Sequence, residues 1–124
     1  MNDLEIYVRE LDTARLEAWL GESLDGLAMA AVGSVGVAKG KGYYQGVPVR
    51  VSLYPGAFSK HFTSVVLEGD ELPWRSDLDC ARNAWRRLDV EVRCSPGDWK
   101  EGDPVQDEKW WRLDHRGEQM VNWN

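Results

Sequence analysis

The sequence predicts an α+β domain. It is a mostly antiparallel sheet with two helices packed on one face and a C-terminal β-hairpin, in the order β-α-β-β-β-α-β-β-β. Three features predict it. Several short stretches alternate apolar and polar residues with a period of two. Two others repeat apolar residues at helical spacing behind a capping residue. The last stretch reads as two strands around a turn that ends in glycine. At 124 residues, with 43% hydrophobic and 29% charged, the chain has the length and balance of one globular domain that needs neither disulfide nor metal to fold.

The elements follow in order. Leu4, Ile6 and Val8 alternate with Glu5, Tyr7 and Arg9, the pattern of a half-buried strand. Asp12 or Thr13 caps a helix whose stripe is Leu16, Trp19, Leu20 and Leu24, ended by Gly21 or Gly26. A strand is expected from Leu27 to about Val37, then a loose turn around Gly40-Lys41-Gly42. Tyr43 and Tyr44 resume the extended chain, and Val47, Val49, Val51 and Leu53 alternate with Pro48, Arg50, Ser52 and Tyr54. Pro55-Gly56 suits the centre of a type II turn, and the chain returns from Phe62 to Leu67. Ser76 and Asp79 form a capping-box-like start for a second helix with Leu78, Ala81, Trp85 and Leu88 on its stripe. Val90, Val92 and Cys94 mark a strand, Ser95 to Asp98 a turn, and the acidic stretch to Glu108 a loop. In the hairpin, Asp114-His115-Arg116-Gly117 fits a type I turn with Gly117 in the left-handed position. Pairing Asp114 with Glu118 would put Trp110, Arg112, Met120 and Asn122 on one face. Trp111, Leu113, Val121 and Trp123 would share the other. The first six elements can be drawn as a split βαβ arrangement plus a hairpin.

Charge is unevenly distributed. The net charge is −6, which argues against general binding to nucleic acid or an anionic membrane. Residues 1–25 and 68–124 each carry a net of −5, whereas residues 26–67 contain no acid and carry Lys39, Lys41, Arg50 and Lys60. The basic middle either lies against the acidic flanks in the fold or presents a basic face to an anionic ligand. The longest apolar run, Leu27 to Val32, is far short of the ~20 residues that span a bilayer. The acidic N-terminus lacks the features of a signal peptide, so a cytoplasmic protein with free Cys80 and Cys94 is expected.

Seven tryptophans are the largest compositional anomaly. Trp19 and Trp85 sit on helix stripes, and Trp111 and Trp123 on the inner hairpin face. Trp74, Trp99 and Trp110 are candidates for exposure. With Arg112 and Met120 they have the composition of a protein-binding hot spot, and Asp103, Asp107 and Glu108 supply charge for a basic partner. Lys39, Lys41, Arg50, Lys60 and His61 form an alternative anion-binding set. Gly40-Lys41-Gly42 fails as a phosphate loop, because Val35 stands at the first glycine position and Gly42 replaces the hydroxyl residue. His61 and His115 are the only histidines; no Gly-x-Ser-x-Gly elbow is present to hold a triad nucleophile for His61, and the spacing suggests no metal site. The pairs Asp70/Glu71, Asp77/Asp79 and Asp107/Glu108 fall at loop edges and a helix start, where carboxylates serve stability. No metal, cofactor or catalytic residue is expected.

Tyr43-Tyr44-Gln45-Gly46-Val47-Pro48-Val49, Leu72-Pro73-Trp74, Asp79-Cys80-Ala81-Arg82 and Val92-Arg93-Cys94 resemble small acidic bacterial proteins. Some of these are similar to immunity proteins, which neutralise a partner toxin in the same cell. The resemblance implies a non-enzymatic binder of the kind an immunity-type inhibitor of a basic toxin would be, and assigns no individual binding residue. Two alternatives remain open: a small anionic-ligand protein or enzyme using residues 26–67, and a self-associating structural component paired as a homodimer through an edge strand or the hairpin.

Overall fold

The structure is a computed structural model that describes residues 2–10, 12–33, 36–56, 60–95 and 109–122. Ten elements run in the order β1 (Asn2–Arg9), α1 (Thr13–Ser23), β2 (Asp25–Val32), β3 (Val37–Tyr44), β4 (Val47–Pro55), β5 (Phe62–Gly69), α2 (Asp77–Leu88), β6 (Val92–Cys94), β7 (Lys109–Asp114) and β8 (Gly117–Asn122). The α+β class holds, with four strands between the helices rather than the three expected. The strands form one sheet in the order β2-β3-β4-β5-β1-β6-β7-β8, with every pairing antiparallel. The split βαβ arrangement survives at the centre, where β4, β5, β1 and β6 lie side by side. The hairpin β2–β3 widens the sheet on one side and β7–β8 on the other.

β1 is the central strand because its two faces suit both layers. Leu4, Ile6 and Val8 are buried beneath the helices, in register with Leu67, Val65 and Thr63 of β5. Val51 and Leu53 continue those rows onto β4, and Val92 onto β6. β6 reaches only Tyr7 and Val8. Beyond it the Glu5 amide donates instead to Asp77 Oδ1 at 3.1 Å, so the start of α2 satisfies the uncovered edge of β1.

The helices start where their caps allow. Asp12 accepts from the Arg15 amide at 2.8 Å, and Ser76 from the Asp79 amide at 3.1 Å. α1 buries Leu16, Trp19 and Leu20, and Leu24 is buried just past its end. α2 buries Cys80, Ala81, Ala84 and Leu88, while Leu78 and Trp85 are half-buried at its flanks. Its stripe is thus rotated from the expected one, because the small side chains let the helix lie close to the sheet. The helices are tied together by Trp19 Nε1–H to Asn83 Oδ1 at 2.8 Å and Arg15 to the Leu88 carbonyl at 3.1 Å. Arg87 also forms a bidentate pair with Glu22.

Two expectations need correction. Gly40-Lys41-Gly42 is not a loose turn but the middle of β3, with Gly40 and Gly42 on the helix face opposite Val51 and Val49. Side chains there would strike β2. A Cβ on Gly40 would meet the Ala28 carbonyl and lie 2.8 Å from Met29 Cα, and one on Gly42 would lie 3.1 Å from Leu24 Cβ. The reversal falls instead at Gln45-Gly46, both with positive φ (52° and 80°), as a two-residue hairpin demands. The second correction is the C-terminal register. Asp114 pairs with Gly117, not Glu118. Gly117, at φ 97°, is itself the first rung of β8. Met120 and Val121 therefore change face. Met120 lies opposite Trp111 on the helix side, and Val121 opposite Trp110 on the other.

Gly40→Ala tests the strand assignment. In a loose turn it would be neutral. Inside β3 it is expected to cost about 1–3 kcal/mol, seen as a lower urea midpoint with an unchanged slope.

Candidate partner-binding surfaces

The helices cover one face of the sheet, and the opposite face carries the unusual chemistry. Its β2–β4 half is basic and aromatic. Period-two alternation puts Lys39, Lys41 and Tyr43 of β3 on this face, in register with Ser52, Arg50 and Pro48 of β4. Lys39 Nζ lies 5.7 Å from the Tyr54 ring centroid, and Lys41 Nζ 5.6 Å from that of Tyr43. Such cation–π contacts hold the amines over the rings without neutralising them. Lys39, Lys41 and Arg50 are exposed, and Tyr43 is 37% exposed. β2 extends the surface with Ala28, Ala30 and Val32, all exposed. Two carboxylates border the cluster in the ladder, Asp25 of β2 opposite Tyr43 and Glu68 of β5 opposite Arg50. Three of the acid-free segment's cations thus share one surface. Tyr43 and Tyr54 join them; the Lys39-Lys41-Tyr43 alternation signalled this, but only if the glycines between were read as strand.

His61 and Lys60 do not join that cluster. They precede β5 at the end of the sheet, where His61 Nδ1 lies 3.0 Å from Glu10 Oε1 and the Glu10 amide donates to the His61 carbonyl at 2.8 Å.

The other half of the open face is packed and charge-compensated. Tyr7 and Ser64 donate their hydroxyls to the two oxygens of Glu5, at 2.9 and 3.1 Å. Burial first, then the Glu5 carboxylate, pushes the Tyr7 phenol above its ordinary range. Trp110 meets the Tyr7 ring edge-on at 5.4 Å. Arg9 and Arg93 flank the buried Phe62 ring at 5.7 and 5.2 Å, and Arg93 pairs with Glu91 at 2.6 Å. Asp114 gathers Arg112 Nε at 3.1 Å, the Arg116 guanidinium at 3.2 Å and the Arg116 amide at 2.9 Å. Burial alone would raise the Asp114 carboxyl. The Arg116 bonds and the Arg112 charge outweigh it and hold the group below the ordinary carboxylate range.

The proposed tryptophan anchors therefore separate. Trp74 is only 8% exposed and stacks on Trp19 at 5.3 Å, closing the core beneath the helices. Trp110 and Arg112 lie on the open face, and Arg112 is paired with Asp114 as well as bonded to Gln119. Met120 is 42% exposed but on the helix side. Trp99, Asp103, Asp107 and Glu108 lie outside the described residues, as does Trp123.

Cys80 and Cys94 are free and buried, and burial raises both thiols, Cys94 to about 12. Among the described residues no group of three or more His, Cys, Asp or Glu could hold a metal ion, and no helix is long and apolar enough to cross a membrane.

Two variants test these placements. Trp74→Ala is expected to destabilise by about 3–5 kcal/mol, as a core tryptophan does. An unchanged denaturation midpoint would return Trp74 to the surface. Because the Asp114 pKa is depressed on folding, its contribution is full above the ordinary carboxylate pKa of about 4 and is lost as pH falls through the lowered value. Asp114→Asn should therefore cost about 1 kcal/mol at pH 7 and less at acid pH, read from urea midpoints at both.

Compared with known protein families, curated proteins and solved structures, the chain matches none.

Proposed function

We propose that this chain is a non-enzymatic protein-binding module, and that it docks an acidic surface of another protein against the β2–β4 half of its open face. One observation carries the reading. Lys39, Lys41 and Arg50 stand exposed on one face with Tyr43 and Tyr54, and the carboxylates in register with them, Asp25 opposite Tyr43 and Glu68 opposite Arg50, stand at its margins. Arginine and tyrosine are enriched at protein interfaces, and cations over aromatic rings keep their charge at low ordering cost. An open sheet face suits a macromolecular surface better than a small anion, which a pocket would hold. Three cations on a chain of net −6 are too few for tight sequence-independent grip on a polyanion.

The resemblance to immunity-type inhibitors suggests a binder with the opposite polarity, in which acidic residues meet a basic toxin. Asp103, Asp107 and Glu108, the acids named for that role, lie outside the described residues. The two polarities are separable by experiment.

Affinity capture from the source cells should compare the parent chain with Lys39→Glu/Lys41→Glu at low and moderate salt. A stoichiometric acidic partner, weakened by salt and reduced at least ~10-fold in affinity by the double substitution, is expected. Undiminished capture by the double variant would overturn the docking face. If the retained partner were basic, the immunity-type polarity would replace it.

A further inference from the structure

The two edges of the sheet are not alike. β8 carries Glu118 on its helix side, and Arg82 of α2 clamps that carboxylate through two hydrogen bonds of 2.6 and 3.0 Å. An inward-pointing, satisfied charge is a device that blocks further pairing at an edge. β2 has no such device over its regular length. A bulge between Asp25 and Ala28 disturbs its start. The run Ala28-Met29-Ala30-Ala31-Val32 then pairs in unbroken register with β3, and it carries no charge and no proline. Ala28, Ala30, Ala31 and Val32 are exposed, Val32 at 46%. No described strand pairs with the outer side of β2. Above it, on the helix side, runs an open groove of about 440 Å³ lined by Ala14, Ala18 and Gly21 of α1 and by Leu27 and Met29.

We propose that two copies of the chain join edge to edge, β2 against β2 in antiparallel register, to make a two-fold dimer with one continuous sheet. β2 is complementary to itself. With the two-fold axis at Ala30, Ala30 faces the partner's Ala30, Ala28 faces the partner's Val32, and Met29 faces the partner's Ala31. Each pair joins small or apolar side chains on one face, as antiparallel alternation requires. No like charges oppose one another in the new ladder. The Lys39 rows of the two copies stand three strand spacings apart, about 14 Å, beyond the screening length of about 8 Å at physiological salt. The small residues of α1 leave room for Met29 and Leu27 of both copies to fill the joined grooves. A two-fold pairing closes on itself, whereas head-to-tail addition at an open edge would grow fibres. Glu17 is the charged residue on the groove, and with the net charge of −6 it sets the salt response. Screening strengthens this dimer, whereas it weakens the docking of an acidic partner on Lys39 and Lys41.

Sedimentation equilibrium over a range of micromolar to millimolar protein tests the proposal. The expected result is a rise from 14.1 kDa to twice that mass, promoted by added salt. Ala30→Lys places a charge at the centre of the pairing on an exposed position. It should leave the melting temperature within a few degrees and hold the protein monomeric. As a positive readout, Ala30→Cys should be joined into covalent dimers by a short bis-maleimide, while Gln119→Cys on the opposite edge should not. A monomer at all concentrations overturns the proposal, as does a dimer that survives Ala30→Lys. Loss of the captured partner in Ala30→Lys, with the parent chain monomeric, would assign the edge to a strand of that partner and equally overturn it.

Discussion

Two helices cannot cover eight strands. At the usual spacing of about 4.8 Å the sheet is roughly 34 Å wide, while two packed helices cover about 20 Å. Most of the architecture follows from that mismatch. α1 and α2 lie over the core formed with β1, β4, β5 and β6, where Ile6, Val8, Val51, Leu53, Val65 and Val92 are buried. Trp19 joins the two helices through Asn83 and is itself stacked on Trp74, so one side chain links the helix pair to the segment before α2. The margins are treated differently. On the β8 side a charged side chain from α2 reaches down to the strand. On the β2 side the residues shrink to glycine and alanine, and a groove remains.

The open face divides along a similar line. Near β1 and β7 its charges are held by partners: Glu5 by two hydroxyls, Asp114 by two arginines, Arg93 by Glu91. Groups held in this way contribute rigidity and have little left to offer a partner. On β3, Lys39 and Lys41 lean on tyrosine rings instead. A ring does not neutralise an amine as a carboxylate does, so the field of these cations extends outward from the face. The acid-free stretch of the sequence thus has a physical counterpart: it is the part of the sheet where Lys39 and Lys41 stand over tyrosine rings.

How much was legible depended on whether one residue or two had to be judged together. β1, β4, β5 and both helix starts could be read because each announces itself locally, by strict alternation or by a capping side chain such as Asp12 or Ser76. β3 was hidden because its glycines look like punctuation. Their purpose, room for Leu24 and Met29, belongs to residues more than ten positions away. The hairpin turn was recognised from Gly117, but whether that glycine sits in the loop or on the ladder cannot be judged from the turn alone. A single step moved Met120 to the opposite face. Trp74 looked like a surface residue because its neighbours are loop formers. Its burial is set by Trp19, on a different element.

The position of β1 has a consequence for the growing chain. β2 to β5 and β6 to β8 are meanders whose strands pair with near neighbours in sequence. β1 alone joins the two, and its partners are β5 and β6. It leaves the ribosome before either exists. At about 5–20 residues per second, the ~60 residues between the end of β1 and the end of β5 take some 3–12 s to appear. Through that interval Leu4, Ile6 and Val8 form an apolar stripe with no sheet to enter. The strand at the centre of the finished sheet is therefore the one that waits longest for its partners while the protein is being made.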